Sequence, residues 1–532
     1  MRRAIVLVVL AGCDVGHETT SLRVDPEQLD LVVELGATRP EPLYVTAQGL
    51  DVTDAVTFSL AGAPLGQVDA HGFQSDGRTG GRAMITIAFA DERVTVPVRV
   101  VLHVARGDAA EAPALFAAAT AQSADAQLEP GDGAALPPNL ATLDVNFAAP
   151  AGDDLHEVAV LAPELDFHIV GRGGRGDAVT RTVSLTPAEW DAITRTVRGS
   201  HFDLITRTLA SSDPATMRVA SSHLTLADLE LSPEILFTGK RPADPVAQVW
   251  SYSLARGTTA PWMAGEAGAC LGCHLAISRD GKRIAAGGDR VIDVASRAAM
   301  APPSAANGNW QSAAFGPDGA LVTASSGVLR LRDGRTAMPL RDLPTEIPAA
   351  QPAVGSARIA YVGGPIDPVR TQPIQEELRV ASWDPMTQTL GPGRVLAAKE
   401  PGVVYKLPDL SPDERWIVYT RAPDQFRVMG DVMMTLADGT IPSLTLASGF
   451  DQARFASSLE AALAGGLETE PIVWIVMKSN HAVGGRDQTA SPQLWAMVFY
   501  PERGIATRPF HLPGQDPTIG VLHAPAPLVA VP

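Results

Sequence analysis

A turn-centred pattern that recurs along the last roughly 300 residues constrains the fold more than any other feature of the chain. One half of the pattern is strand, turn, strand. It appears as Ile277-Ser278-Arg279-Asp280-Gly281-Lys282-Arg283-Ile284-Ala285, as Phe315-Gly316-Pro317-Asp318-Gly319-Ala320-Leu321-Val322, and as Leu410-Ser411-Pro412-Asp413-Glu414-Arg415-Trp416-Ile417-Val418. Each residue of the Pro-Asp-Gly element has a mechanism: Pro sets φ, Asp bonds back to the backbone, and Gly accepts a positive φ. The other half is an alternating strand ending in a polar turn, starting near Val249, Arg290, Val328, Leu378, Asp431 and Gln493. Six such strands at spacings of roughly 40 to 60 residues predict a six-bladed β-propeller of four-stranded blades over residues 235–532. One inner half-repeat is missing at its start, and the stretch Ile519-Gly520-Val521-Leu522-His523 is placed to supply it and close the ring.

The preceding residues read as mainly β as well. Aromatics make up 5% of the chain, while Gly and Pro number 48 and 43, a mix suited to short strands and tight turns. Alternating segments at Leu22–Val24, Leu29–Val33, Leu43–Val45, Val56–Phe58, Met84–Ile87 and Val94–Val104 predict an N-terminal β-sandwich over 22–105. Residues 106–137, rich in Ala, Gly, Asp and Pro, read as a linker. Strands return over Ala141–Phe147, Glu157–Leu161, Leu165–Val170 and Val179–Leu185, with one helix start at Thr186-Pro187-Ala188-Glu189-Trp190. A second small β-sandwich is expected over 138–232. Its Arg175-Gly176-Asp177 is read as a solvated turn rather than an adhesion motif. The net charge is −17 with no block of Lys or Arg, which argues against nucleic-acid binding.

At the N-terminus, Arg2 and Arg3 precede an apolar run, Ala4 to Ala11, that is too short to span a bilayer. It closes on Leu10-Ala11-Gly12-Cys13. This tetrad resembles the lipobox of bacterial lipoproteins, which implies a signal peptide over 1–13 and acylation of Cys13. Three acyl chains would hold the protein at a membrane of the cell envelope, periplasmic or outer-surface.

The strongest chemical motif is Cys270-Leu271-Gly272-Cys273-His274. In c-type haem attachment two thiols bond the haem vinyl groups and the following imidazole ligates iron. With three Cys and 11 His in 532 residues, the chance expectation of this tract is on the order of a few in ten thousand. The expected cofactor is therefore one covalent haem c, with Cys270 and Cys273 as thioether anchors and His274 as proximal ligand. A Cys270–Cys273 disulfide, a redox-active dithiol and a zinc site remain the alternatives. Aligning Ile277, Phe315 and Leu410 sets Gly272, Trp310 and Tyr405 at matched positions. This makes Trp310 and Tyr405 candidate pocket walls at the channel mouth, or else ordinary packing between blades. Met263, Met429, Met433, His481 and water are candidates for the sixth ligand. There is no nucleophile elbow, phosphate-binding P-loop or His-Glu-x-x-His, and the solitary Trp383-Asp384 carries no repeat signal.

Three resemblances frame these readings. Asp51-Val52-Thr53-Asp54-Ala55-Val56-Thr57-Phe58, with Gly80-Gly81 before a later strand, resembles bacterial Ig-like domains over about 80 residues. The Ser-Pro-Asp-Gly type of turn resembles the TolB-type propellers of Gram-negative periplasms. The haem motif set in front of that signature resembles myxobacterial-type lipoproteins. Together they imply a membrane-anchored monohaem electron carrier or redox partner, its partner docking on the propeller face. The alternative is an envelope protein-binding scaffold whose Cys-x-x-Cys-His is structural, as haem or disulfide. An enzyme such as a peroxidase is the third expectation, ranked last.

Overall fold

The computed structural model describes residues 22–123, 128–173, 179–264, 275–301, 310–369, 373–424, 430–456, 471–481, 483 and 491–528. The chain divides into two compact units, Met1–His103 and Val104–Pro532.

In the first unit the strands fall where the alternation places them. Leu29–Glu34 reads buried-exposed three times over, and it pairs parallel with Glu92–Gly107. That long strand pairs antiparallel with Gly81–Phe89, which in turn pairs with Thr57–Gly62. Smaller sheets, Leu22–Asp25 with Tyr44–Ala47 and Leu50–Asp51, and Pro40–Glu41 with Gly72–Ser75 and Gly66–Asp69, cover the apolar face. Leu29, Leu31, Val33, Val45, Phe73, Ile85, Ile87, Val96, Val98 and Val100 form a single core between the layers. This is a β-sandwich. The Asp51-Val52-Thr53 segment is its corner: the Asp51 carboxylate accepts from the Thr53 amide (2.9 Å) and hydroxyl (2.7 Å), and Thr53 Oγ1 accepts from the Val45 amide.

The second unit begins with a two-layered β domain. One sheet runs in the order Thr120–Ser123, Asp213–Leu226, Ser200–Ala210, Leu155–Ala162, Leu165–Arg172, and the other holds Leu128–Glu129, Asp144–Ala149 and Val179–Ser184. The helix Pro187–Val197 starts at the predicted capping box. Thr186 Oγ1 accepts from the Glu189 amide and the Glu189 carboxylate accepts from the Thr186 amide. Its Trp190, Ile193 and Val197 are buried at helical spacing.

The expected linker over 106–137 is a correction. Ala112–Ala118 is a helix with Phe116 buried, and Ala134, Ala135 and Leu136 are fully buried beside the strand Asp213–Leu226. Alanine-rich composition suggested a tether because alanine adds little apolar area. The same small side chain, however, allows close approach to a sheet. Residues 124–127 and the Arg175-Gly176-Asp177 turn lie outside the described residues.

The remaining sheets form six blades. Blade one is Gly520–Leu528, Glu234–Lys240, Gln248–Ser253 and Thr258–Met263, counted from the inside outward. Blade two is Ala276–Ile277, Arg283–Ala286 and Arg290–Asp293. Blade three is Ser312–Phe315, Leu321–Ser325, Val328–Arg332 and Pro339–Leu343. Blade four is Ala349–Val354, Arg358–Gly363, Glu377–Asp384 and Thr389–Ala397. Blade five is Val404–Leu410, Trp416–Ala422, Gly430–Leu436 and the first half of Leu444–Phe455. The second half of that strand opens blade six, followed by Val473–Ser479, Gln493–Tyr500 and the short Ile505–Ala506 and Phe510–His511. Each inner strand neighbours the next, and Gly520–Leu528 stands between those of blades six and two. The ring is therefore closed by the C-terminal strand pairing with Glu234–Lys240, from Lys240↔Gly520 to Glu234↔Leu528.

The repeated turns do what their chemistry predicts. Asp280, Asp318 and Asp413 each accept from the amide two residues on, and Gly281 and Gly319 have φ near +65° and +82°. Glu414 occupies the same left-handed position at φ +57°. Its carboxylate accepts from the Ser356 and Ala357 amides, stitching blade five to blade four.

Candidate functional site

The site is the propeller face on which the inner strands begin. Antiparallel order brings to this face the start of each inner strand, the turn between second and third strands, and the link from each outer strand to the next blade. Residues 265–274, carrying Cys270, Cys273 and His274, form the link from blade one to blade two. They lie outside the described residues, as do Cys13 and Met429. The two ends of the link are described. Met263, last in the outer strand of blade one, and Leu275, just before the inner strand of blade two, pack on one core made of Leu236, Val249, Trp262, Ile284, Ala286 and Ile292. The Arg297 guanidinium lies 5.5 Å over the Trp262 ring and donates to its carbonyl, fixing the outer end.

The structure separates the two aromatic candidates. Trp310 is buried between blades two and three with Ala285, Val291, Phe315 and Leu321, and Ala276, two residues past His274, packs on that cluster. Arg332 lies 5.1 Å over its ring. Tyr405 is buried between blades four and five, and its hydroxyl donates to Ala398 O and Glu400 Oε1 at 2.8 Å. Both make the packing between blades that was the alternative reading. Of the ligand candidates, Met433 is buried in the same core as Tyr405 and its sulfur accepts from Thr445 Oγ1. His481 Nε2 donates to Ser448 O at 3.0 Å, and its ring packs on Phe450 at 4.8 Å. Met263 is part of the blade one–two core described above.

A charged cluster that sequence reasoning did not single out stands on the inner strands of blades five and six and on the second strand of blade six. Blades four, five and six share an inner-strand bulge at Gln351, Leu407 and Gln452, each with φ between +49° and +58°. Leu407 N donates to Gln351 Oε1 at 2.6 Å, linking two of these bulges directly. Beside the bulges, Lys406 and Asp451 form an ion pair at 3.2 Å with both side chains almost fully buried. Lys478, cross-strand partner of Asp451, donates from Nζ to Leu522 O at 2.6 Å in the closing strand. Burial, with the nearby Lys406 charge adding to it, pushes Lys478 down to about 8, against the pull of Asp451. Deeper along the same strands Asp409 accepts from Phe455 N and faces Arg454, and burial pushes its carboxyl up. The signal was present in the sequence: Lys478 ends the apolar run Val473-Trp474-Ile475-Val476-Met477, where an ionisable group needs a partner.

Outside the cluster, a cleft of about 410 Å³ on blade five is lined by Gly402, Val403, Arg421, Ala422, Gly430 and Asp431. Arg421 spans it between Glu400 (2.6 Å) and Asp431 (3.8 Å). Among the described residues no three His, Cys, Asp or Glu side chains are grouped to hold a metal, and no helix is long and apolar enough to cross a membrane.

No family model and no curated protein matches the chain. Solved structures do. A protein assigned as TolB from Agrobacterium tumefaciens is 14% identical, covering 54% of this chain and 94% of its own, with a TM-score of 0.31. An oligogalacturonate lyase solved with manganese is 14% identical over 52% of this chain and 73% of its own, at 0.29. A gluconolactonase of Xanthomonas campestris is 16% identical over 45% and 75%, at 0.28. At these scores the likenesses carry no argument about activity. The propeller stands on its own strand pairing, and the chain is a mainly β protein of sandwich and six-bladed propeller.

Proposed function

We propose that this chain is a lipid-anchored monohaem c-type protein of the cell envelope, an electron carrier or redox partner built on a propeller. The observation that carries the reading is Cys270-Leu271-Gly272-Cys273-His274, a donor set of two thiols and an imidazole at haem-attachment spacing. Cys270 and Cys273 would anchor the porphyrin and His274 would ligate its iron. The bound group supplies one-electron chemistry. The protein's share would be to hold the motif segment, and the packing of Met263 and Leu275, which flank it in sequence, on one core supports that role. The lipobox Leu10-Ala11-Gly12-Cys13 supports anchoring, and the propeller face would be the surface that a partner meets.

The test is haem staining after denaturing electrophoresis of protein made with a cytochrome c maturation system. Thioether bonds survive unfolding, so the wild-type band should stain. Cys270→Ala with Cys273→Ala should abolish the stain, while His274→Ala should weaken maturation or leave an altered visible spectrum. Colourless wild-type protein from a competent host, with a Cys270–Cys273 disulfide found by mass spectrometry, would overturn the carrier reading. It would leave the protein-binding scaffold in its place.

A further inference from the structure

Two histidines far from the haem motif in sequence stand together on the outer face of the small β domain. Ser200–Ala210 and Asp213–Leu226 pair antiparallel, with His201 opposite Thr225 and Asp203 opposite His223. Even-numbered residues here point to the core (Phe202, Leu204, Ser222, Leu224 are buried), so His201, Asp203, Ser221 and His223 share the exposed face. His201 and His223 are diagonal neighbours, and their ring centroids lie 5.0 Å apart.

Each ring has one nitrogen already engaged. His223 Nδ1 lies 2.9 Å from Asp203 Oδ1. A carboxylate only accepts, so Nδ1 carries a proton, and in the neutral ring the lone pair is then on Nε2. His201 Nδ1 lies 2.9 Å from Thr225 Oγ1, a partner that permits the same tautomer. An imidazole donating its other N–H to an oxygen is the arrangement that orients metal-ligating histidines. The spacing fits as well. A Zn–N bond of about 2.1 Å, plus roughly 1.1 Å from nitrogen to ring centre, puts two centroids about 5 Å apart at a near-tetrahedral angle. Asp132 stands alongside, its Oδ1 accepting from the His223 amide at 2.8 Å, and a chain of net charge −17 favours cations at its surface.

We propose that His201 and His223 form a surface site for a borderline divalent cation of the zinc class, ligated through both Nε2 atoms and completed by water, with Asp203 as a positioning residue. The test is calorimetric titration of the full chain with zinc chloride at pH 7.5, with any cysteine not already in a thioether or lipid linkage first alkylated so that thiols take no part. Wild-type protein should take up one zinc per chain and gain thermal stability from it. His201→Ala or His223→Ala should weaken binding at least tenfold and remove the gain in melting temperature. Asp203→Asn, which keeps both ligands, should weaken binding by about tenfold. All three positions are exposed, so circular dichroism and metal-free melting should match wild type. Absence of zinc uptake by wild-type protein, or unchanged binding in either alanine variant, would overturn the proposal.

Discussion

Lys478 gives the most direct test of the channel cluster. Its ammonium is nearly fully buried, makes a 2.6 Å bond to Leu522 O, and titrates near 8 rather than 10.5 because burial disfavours the charge. The unfolded chain therefore binds this proton more tightly than the native one. Between pH 8 and 10.5 the unfolded state holds more protons, so stability rises with pH across that window. A drop from 10.5 to about 8 corresponds to about 3 kcal/mol. That penalty is present in full below pH 8 and gone above 10.5. Lys478→Met removes the titrating group and also the bond to Leu522, a loss that does not vary with pH. Urea unfolding of both proteins from pH 7 to 10.5 should show wild type gaining about 3 kcal/mol relative to the variant. All eight tryptophans lie beyond His103, so their fluorescence follows the second unit alone. A difference between the two proteins that stays flat across the window would refute the assignment of Lys478 as a buried, charge-strained group.

Two further outcomes are expected. Glu129, buried and pushed up to about 7 by its desolvation, accepts from the His511 amide, so its native form prefers to be protonated and its stability contribution falls as pH rises from 4.5 to 7. Glu129→Gln keeps the acceptor without the charge, so its urea stability should match wild type near pH 4.5 and exceed it by about 3 kcal/mol at pH 8; equal stability at both would sink the idea. Cys13→Ser should shift the expressed protein from the membrane to the soluble fraction, and a variant that resists a high-salt wash at the membrane would contradict the lipobox.

The regular parts of the fold were legible because they rest on local chemistry. Alternation placed the strands of the first sandwich, and all six third strands of the propeller begin within one residue of the positions read from the repeat. The turn aspartates bond as predicted, and the capping box at Thr186 and Glu189 closes as written. Residues 112–118 and 134–136 were misread because alanine burial leaves no periodic apolar signal. The channel cluster was missed for a different reason. Lys406, Asp451 and Lys478 lie 45 and 27 residues apart, and they meet only once the bulged inner strands of blades five and six stand side by side and Val473–Ser479 pairs with the second of them. Pairing Tyr405 with Trp310 by counting back from Leu410 and Phe315 ignored that bulge. The extra residue at Leu407 lengthens blade five's inner strand and moves Tyr405 into ladder contact with Arg421. Trp310, in a blade without the bulge, precedes its strand.

Ring closure bears on the core shared by blades one and two. Blade one lacks its innermost strand until Gly520–Leu528 pairs with Glu234–Lys240. Leu236, Val249, Trp262 and Met263 of that blade share one core with Leu275, Ile284, Ala286 and Ile292 of blade two. The same closing strand receives the Lys478 bond from blade six through Leu522 O. The small β domain braces the joint from outside: Trp474 Nε1 donates to Leu229 O at 3.0 Å, Ala141 N to Leu254 O at 2.8 Å, and Gly514 N to Asp144 Oδ2 at 3.1 Å. Contacts over long sequence separations thus converge on blades six, one and two, where the closure entropy is offset only once the ring is complete. The inner strand of blade two has only Ala276 and Ile277, so Leu275 just before it is held more by this shared core than by its own strand pairing. Loosening the closure, as at Lys478 or Glu129, should therefore disturb the core shared by blades one and two before it disturbs blades three to five, whose cores are built from neighbouring repeats alone.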